Sequence, residues 1–526
     1  MNGNRMQFKK QLASWLAVIA LTIPAAAQQR PHSHDHPPDS QPAATQGADK
    51  GPSDKSSGDK LSVTEGEVIV HGESIKYKAT AGTLALKDES GKAKADMFFV
   101  AYEKQPAASD PSTRPITFVF NGGPGAAAVW LHLGVVGPKR VAVNDLGSAP
   151  TPPYRLTDNE ETWLGSTDIV FIDPVGTGYS RPAPGEKPEQ FYGVEEDVRS
   201  VGQFIRLYTT RYQRWLSPKF LAGESYGTTR AAALSDFLLD NGISLNGIIL
   251  ISSVLNFQTI SFGNGNDLPY ALYLPSYTAL AWYHKKLSPD LQADKTKALA
   301  ESEQWALNGY LSDLAAGSQL PQADRESAIK ELAHLTGLSE NYVDRANLRV
   351  DPSEFRKELL AADHEVLGRF DARLTGYDTD PLGRTPDYDP SLAPFLNAYS
   401  ATFNDYVRRT LKFESDLPYE VLSSQVHPWN FGERGTGYLD VLDRLRSTLV
   451  QTPNLKVMFN SGFFDLATPY LGAKYTVNHL DLGTDLRKNI TQEFYDSGHM
   501  IYHHREDREK LSKNVAEFIK AAVAPM

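Results

Sequence analysis

Three residues that lie far apart in the chain, Ser225, Asp465 and His499, are of the types that together carry acyl transfer. Ser225 stands in LAGESYGTT, with Gly223 and Gly227 two places to either side and the apolar Phe220, Leu221 and Ala222 leading into it. That is the layout of a nucleophile elbow, a sharp turn from strand to helix that exposes a serine hydroxyl. A serine attacks a carbonyl only when a base accepts its proton. The base in turn needs a third group to fix its tautomer and stabilise the imidazolium. After an elbow of this kind the chain order is Ser, acid, His. LKVMFNSGFFDLATP places Asp465 just past an apolar run, and ITQEFYDSGHM places His499 in a short glycine-containing loop after the last one. A serine between glycines also describes an ordinary turn. An ordered Ser, Asp, His series at three strand ends is far more specific.

Other residues compete for these roles. His503 and His504 are close to His499, but HHREDREKLSKNVAEFIK has the pattern of a terminal helix, so both are expected to be exposed at its start. Asp496 precedes the His499 loop. His284, His334, His364 and His427 fall in the polar middle of the chain, where structural or solvated roles are expected. Acyl transfer also needs donors aimed at the oxyanion. NGGPG, residues 121 to 125, directly follows the apolar run ITFVF, and its glycines allow backbone N–H groups to turn inward. The expected donors are the amide of Tyr226, next to the nucleophile, and one from this loop. A tight Gly/Pro turn without function is the alternative.

The elements that must hold these residues read as follows. EVIVHGESIKYKA is expected to form two short strands meeting at His71 and Gly72, and TLALKDESGKAKADMFFVAYEK a second pair turning at Ser90 and Gly91. Five apolar runs come next, at 116–120, 168–173, 219–223, 247–252 and 455–460, separated by helix-like segments. Buried parallel strands read this way, which gives an α/β class with a mostly parallel sheet flanked by helices. From Phe257 to Gln451 the pattern becomes amphipathic helices broken by Pro, Gly and Asp-rich loops, expected to be a helical cap inserted between core segments 61–256 and 452–526.

The chain has 526 residues, 41% of them hydrophobic and 10% aromatic, enough for one large domain with insertions or up to three ordinary ones. Its formal charge is −11, and no long Lys/Arg cluster is present. This argues against nucleic acid or an anionic membrane surface as the main partner. At the N-terminus, Arg5, Lys9 and Lys10 precede a mostly apolar run from Leu12 to Ile23 and the small residues Ala25, Ala26 and Ala27. That pattern predicts a secretory signal over 1–27 with cleavage after Ala27, and export to the periplasm or the medium. The run is shorter than the roughly 20 apolar residues of a membrane span, so no stable membrane insertion is expected after cleavage. Residues 28–60 have the composition of a disordered linker. Within it His32, His34 and His36 could hold a stray divalent ion, though a solvated tract is the simpler reading. The chain contains no cysteine, so no disulfide framework holds it.

NGGPG, FIDPVGTGYS, GESYG, SGFFD and SGHM occur in the order found in serine carboxypeptidases, and the chain resembles that family from about Ala95 onward, most weakly across the cap. The resemblance implies an α/β-hydrolase fold and release of C-terminal residues from peptides, without a metal or other cofactor. It implies Ser225, His499 and Asp465 as the catalytic triad, Gly123 and Tyr226 as the oxyanion hole, and Asn121 and Glu224 as the residues holding the substrate's terminal carboxylate. Glu224 can donate to a carboxylate only when protonated, which suits acidic pH. Three departures bear on this. Ala126 stands where many members have Cys, the DPVGTGYS loop is one residue shorter than usual, and Val135 occupies the position of a second Glu before Gly137 and Pro138. Lys139 or Arg140 could supply a cation to the substrate carboxylate instead. Other acyl hydrolases or acyltransferases on the same scaffold, such as an esterase or a proline-releasing aminopeptidase, remain open, as does a silent peptide-binding protein. Phe463, Phe464 and Met500 flank the triad and could line apolar subsites or simply pack.

Overall fold

Residues 59–148, 150–432 and 437–524 are described in this computed structural model. The expected signal segment, the histidine tract and nearly all of the linker lie outside them. The five apolar runs all become strands. They are β4 (Ile116–Phe120), β5 (Asp168–Ile172), β6 (Lys219–Glu224), β7 (Gly247–Ile251) and β8 (Lys456–Gly462). Every residue of β4, β5, β6 and β7 is buried, as expected of strands covered on both faces. The leading segment supplies β1 (Lys60–Val70), β2 (Glu73–Lys87) and β3 (Ala93–Gln105), and β9 (Ile490–Tyr495) closes the series.

The strands lie side by side in the order β1-β2-β3-β5-β4-β6-β7-β8-β9. The first three are antiparallel, as is the β3–β5 pair. From β5 to β9 every pairing is parallel. Four short strands had been expected at the leading edge, and there are three long ones. Ala79, Thr80, Ala81 and Gly82 run through the middle of β2 without a turn, because Gly82 lies against the backbone of Lys60 and Leu61 and stays in the ladder. Both expected turns form: one at His71 (φ 48°) and Gly72 (φ 87°), a pair of positive φ values that matches the right-handed twist of a two-residue hairpin, and one at Ser90 and Gly91, where the Gly91 amide donates to Asp88 O at 2.9 Å.

Helices α1 (Val194–Arg211) and α2 (Tyr226–Asp240) bury apolar faces beside the parallel strands. The segment 257–451 holds several helices and a short antiparallel pair, Glu365–Leu367 with Thr375–Tyr377, and its two halves pack differently. In the first half, α3 (Leu268–Tyr283), α4 (Lys295–Trp305) and α5 (Gln322–Thr336) build a core of their own around Leu272, Tyr277, Leu299 and Leu332. In the second, α6 (Ala393–Arg409) sends Phe395, Tyr399, Phe403 and Tyr406 into the main core with Trp130, Leu133 and Tyr502. The chain then bridges onto the central loops, Glu420 pairing with Gly178 and Leu422 with Ala126. Helix α7 (Leu442–Gln451) closes the segment, with Thr448 Oγ1 at 3.0 Å from Ser235 Oγ on α2. Helices α8 (Tyr470–Asn478) and α9 (Arg505–Ala522) complete the fold. No helix of the described residues is long and apolar enough to cross a membrane.

Candidate active site

The sequence motifs converge at the carboxyl ends of β4, β6, β8 and β9, where sites form in open α/β sheets. Ser225 links β6 directly to α2 and adopts φ 60°, ψ −131°, a conformation that side-chain-bearing residues rarely take. Strain of this kind costs on the order of 1–3 kcal/mol and persists only where the surroundings impose it. Here the Ser225 amide donates to Ile251 O at 3.0 Å, and the amide and hydroxyl of Thr228 both reach Ser225 O, at 2.8 and 2.7 Å. The turn is pinned from both sides. A β-carbon at Gly122 would collide with the Tyr226 amide nitrogen and the Glu224 carbonyl, so the glycine loop lies directly on the elbow.

Asp465 follows β8 and is fully buried. Its Oδ1 accepts from the amides of Ala467 (2.7 Å) and Thr468 (3.0 Å), and its Oδ2 accepts from Thr468 Oγ1 (2.8 Å). The His499 ring places Nδ1 2.7 Å from the same Oδ2. With Nδ1–H donating to the carboxylate, Nε2 is left as the basic nitrogen. Burial disfavours the imidazolium, but the charge and hydrogen bond of Asp465, helped by Glu224, hold the His499 pKa above its ordinary value. The backbone is fixed as well: His499 N donates to Phe370 O at 2.5 Å, and its carbonyl accepts from Ser252 Oγ at 2.7 Å. No hydrogen bond joins Ser225 Oγ to His499 in this structure, where the ring bonds through Nδ1 alone. In resting enzymes such contacts are often long or poorly aligned.

Asn121 and Glu224 meet beside the elbow. Asn121 Nδ2 donates to Glu224 Oε1 at 2.9 Å, while Asn121 Oδ1 accepts from the Leu131 amide at 3.0 Å, so the amide group can sit only one way round. Glu224 is 4% exposed and its Oε2 has no hydrogen-bond partner. Burial raises this carboxyl to about 7, against the pull of His499, Tyr502 and Asn121. Near the elbow, then, sits an acid that can be neutral under mildly acidic conditions. The Gly123 amide makes no backbone hydrogen bond among the described residues. Tyr226 is the first residue of α2, where an amide has no partner within its helix. Neither amide is taken up by a backbone hydrogen bond among the described residues.

A family model described as serine carboxypeptidase matches residues 71–515. The chain belongs to the serine carboxypeptidase family. It is 28% identical over 250 residues to the venom serine carboxypeptidase of Apis mellifera, an alignment covering 45% of this chain and 47% of that one. A serine carboxypeptidase-like protein of Arabidopsis thaliana is 24% identical over 81% of this chain and 79% of its own length. Among solved structures, the prohormone-processing carboxypeptidase Kex1 of Saccharomyces cerevisiae superposes with a TM-score of 0.51 at 18% identity, over 84% of this chain and 91% of that one. This likeness establishes an α/β-hydrolase fold.

Several site residues of this carboxypeptidase-family chain sit differently from the sequence expectation. His503 is not exposed at a helix start. It is buried, stacked on Phe395 (4.1 Å between centroids) with Nε2 3.1 Å from the Tyr399 hydroxyl, and burial lowers its pKa to about 3. A one-turn 3₁₀ segment before α9 turns it inward. His504 instead bonds Asp507, and Asp496 pairs with Lys295 away from His499. Lys139 is taken by Asp158, whereas Arg140 Nη1 is buried without a partner. Phe463 stacks on Phe494 and meets Tyr470 edge-on, the three lining a surface cavity with Lys295, and Phe464 packs beside Tyr283.

Four supporting residues carried no sequence signal. Arg230 on α2 pairs with Asp197 on α1 at 2.7 Å and donates to Asn121 O at 2.6 Å, both side chains almost fully buried. Asp173, after β5, accepts from the Ala128 amide at 2.8 Å and from Tyr419 at 3.3 Å, tying the glycine loop to the inserted segment. Burial raises it to about 7. Thr468 and Ser252 brace the acid and the base.

Proposed function

We propose that the protein is an exported serine carboxypeptidase that removes C-terminal residues from peptides through an acyl-enzyme on Ser225. His499 takes the Ser225 proton and later returns it to the leaving amine, and Asp465 orients the ring and stabilises the imidazolium. The amides of Gly123 and Tyr226 receive the oxyanion, aided by the amino end of α2. Asn121 and protonated Glu224 hold the substrate's terminal carboxylate, which places the last peptide bond over Ser225. Water then attacks the acyl-enzyme, with His499 as base. All the groups used are side chains and backbone amides of this chain, so no metal enters a step.

The observation that carries this reading is the buried Asn121–Glu224 pair beside the elbow, one of its oxygens unpartnered and its carboxyl raised to about 7. An esterase or lipase has no need for a neutral acid next to its nucleophile, and an aminopeptidase would place ionised carboxylates around a free amine. The test uses one peptide blocked at its N-terminus and made as free acid and as C-terminal amide, with release of the last residue followed by mass spectrometry. Preferential cleavage of the acid supports the proposal, and equal cleavage or none ends it.

The N-terminal pattern supports export, with residues 1–27 as the signal and 28–60 as a linker. We assign core roles to 61–256 and 452–526 and the shaping of the peptide cleft to the insertion 257–451.

A further inference from the structure

Glu224 uses only half of its carboxyl. Oε1 accepts from Asn121, whereas Oε2 is buried and makes no hydrogen bond. A second buried polar atom without a partner lies next to it, the hydroxyl of Tyr502, whose side chain is 1% exposed and faces Glu224. Two unpaired buried polar groups side by side are costly unless something else uses them. The Tyr502 ring is placed by contacts that do not involve the hydroxyl. It fills the space beside Gly134, where a β-carbon would run into it, and meets His503 edge-on at 5.2 Å. Its carbonyl accepts from Arg508 Nη1 at 3.1 Å. Gly134 precedes Val135, so the ring covers the very segment where a second carboxyl is missing.

We propose that Tyr502 is a positioning residue for Glu224: its hydroxyl stands beside Oε2 without a formed hydrogen bond, takes up that oxygen when Glu224 ionises, and leaves it to the C-terminal carboxylate of a bound peptide when Glu224 is protonated. This rests on the carboxypeptidase reading of the site. Because Oε1 accepts an N–H, the acid proton belongs on Oε2, where it can be donated either to the tyrosine oxygen or to a substrate carboxylate. When Glu224 is ionised the direction reverses and the tyrosine O–H donates to Oε2. A hydrogen bond to a charged acceptor is the stronger of the two, so the hydroxyl favours the ionised form. Tyr502 thereby limits how far above neutrality Glu224 keeps its proton. The other groups facing Glu224 are His499 and Asp465 from the loops after β9 and β8, Asn121 from the glycine loop and Tyr399 from α6. All are retained when only the Tyr502 hydroxyl is removed.

The test is Tyr502→Phe, which keeps the ring against Gly134. KM and kcat are measured from pH 5 to 9 on matched peptides ending in a free acid and in an amide. In the variant the pH at which KM for the acid begins to rise moves up by about half a unit or more, kcat and the amide profile stay as in the wild type, and the unfolding temperature is unchanged. In Glu224→Gln, which has no carboxyl to titrate, adding Tyr502→Phe produces no further shift. An unmoved KM profile overturns the proposal, as does an equal shift for acid and amide. Wild-type enzyme that fails to prefer the acid over the amide overturns the carboxypeptidase reading and this inference with it. Wild-type preference with an unaltered Tyr502→Phe profile overturns the inference alone.

Discussion

At the scale of single residues, the proposed site sets a strained serine, Ser225, near a histidine braced by Asp465. Ser225→Ala removes the attacking oxygen while the turn stays pinned by Ile251 O and Thr228, so kcat should fall by about 10⁶ with the unfolding transition intact. His499→Ala should cost a comparable factor, and His504→Ala, whose ring is committed to Asp507, should retain most activity. Near-normal turnover in Ser225→Ala would remove the nucleophile assignment. The pH profile follows from two groups with opposite requirements. His499 must be neutral, and its pKa is raised, so kcat falls on the acid side beginning above the ordinary histidine range. Glu224 must be protonated, which holds below about 7 and is lost above it, so KM for free-acid peptides rises on the alkaline side. Because each group's charge acts on the other, the two limbs belong to the pair. Glu224→Gln keeps an N–H donor that does not titrate, and the alkaline limb for acid peptides should flatten in that variant. A limb that persists unchanged would mean the carboxylate is bound elsewhere, with Arg140 next to examine.

At the scale of elements, the elbow and the glycine loop are held together by a buried ion pair rather than by apolar contact alone. Arg230 on α2 reaches Asp197 on α1 and the carbonyl of Asn121. Arg230→Met would leave Asp197 charged and unpaired in the core, and urea unfolding should report a loss of about 3–5 kcal/mol. Activity on acid peptides should drop further than on amide peptides, since Asn121 loses its anchor; equal losses would show that the pair serves stability only. These elements differ in how legible they were. Strands β4 to β8 announced themselves because both faces are covered, so each became an uninterrupted apolar run. The strained turn at Ser225 and the contact between Asp465 and His499 were legible because elbow chemistry and chain order constrain them. Arg230, Asp173 and Tyr502 were not, because their partners lie 33 to 246 residues away in sequence or are single atoms of a neighbouring side chain. His503 was misread for a related reason. A histidine before a charged helix looks solvated until α6, about a hundred residues earlier, is known to stack Phe395 on it. The insertion was visible as amphipathic helices, but nothing in their periodicity said that α6 belongs to the main core.

At the scale of the whole molecule, the parallel half of the sheet carries the chemistry and the antiparallel half extends it by three strands, ending at β1. Beyond β1 no strand pairs among the described residues, so among them its outer row of N–H and C=O groups has no ladder partner. Along its exposed face run Leu61, Val63 and Ile69, interrupted by Glu65 and Glu67. Such a strand is a template for another chain, and natural proteins guard it with charge. Here the guard is two glutamates within an otherwise sticky stretch. A variant with Glu65→Val and Glu67→Val should cleave peptides normally when dilute, since the triad lies several strands away, yet form oligomers as its concentration is raised, readable by light scattering. A variant that stayed monomeric throughout would mean that strand twist alone protects this border. The acidic residues of β1 thus bear on colloidal behaviour and not on catalysis: they set a like charge against the approach of a second strand.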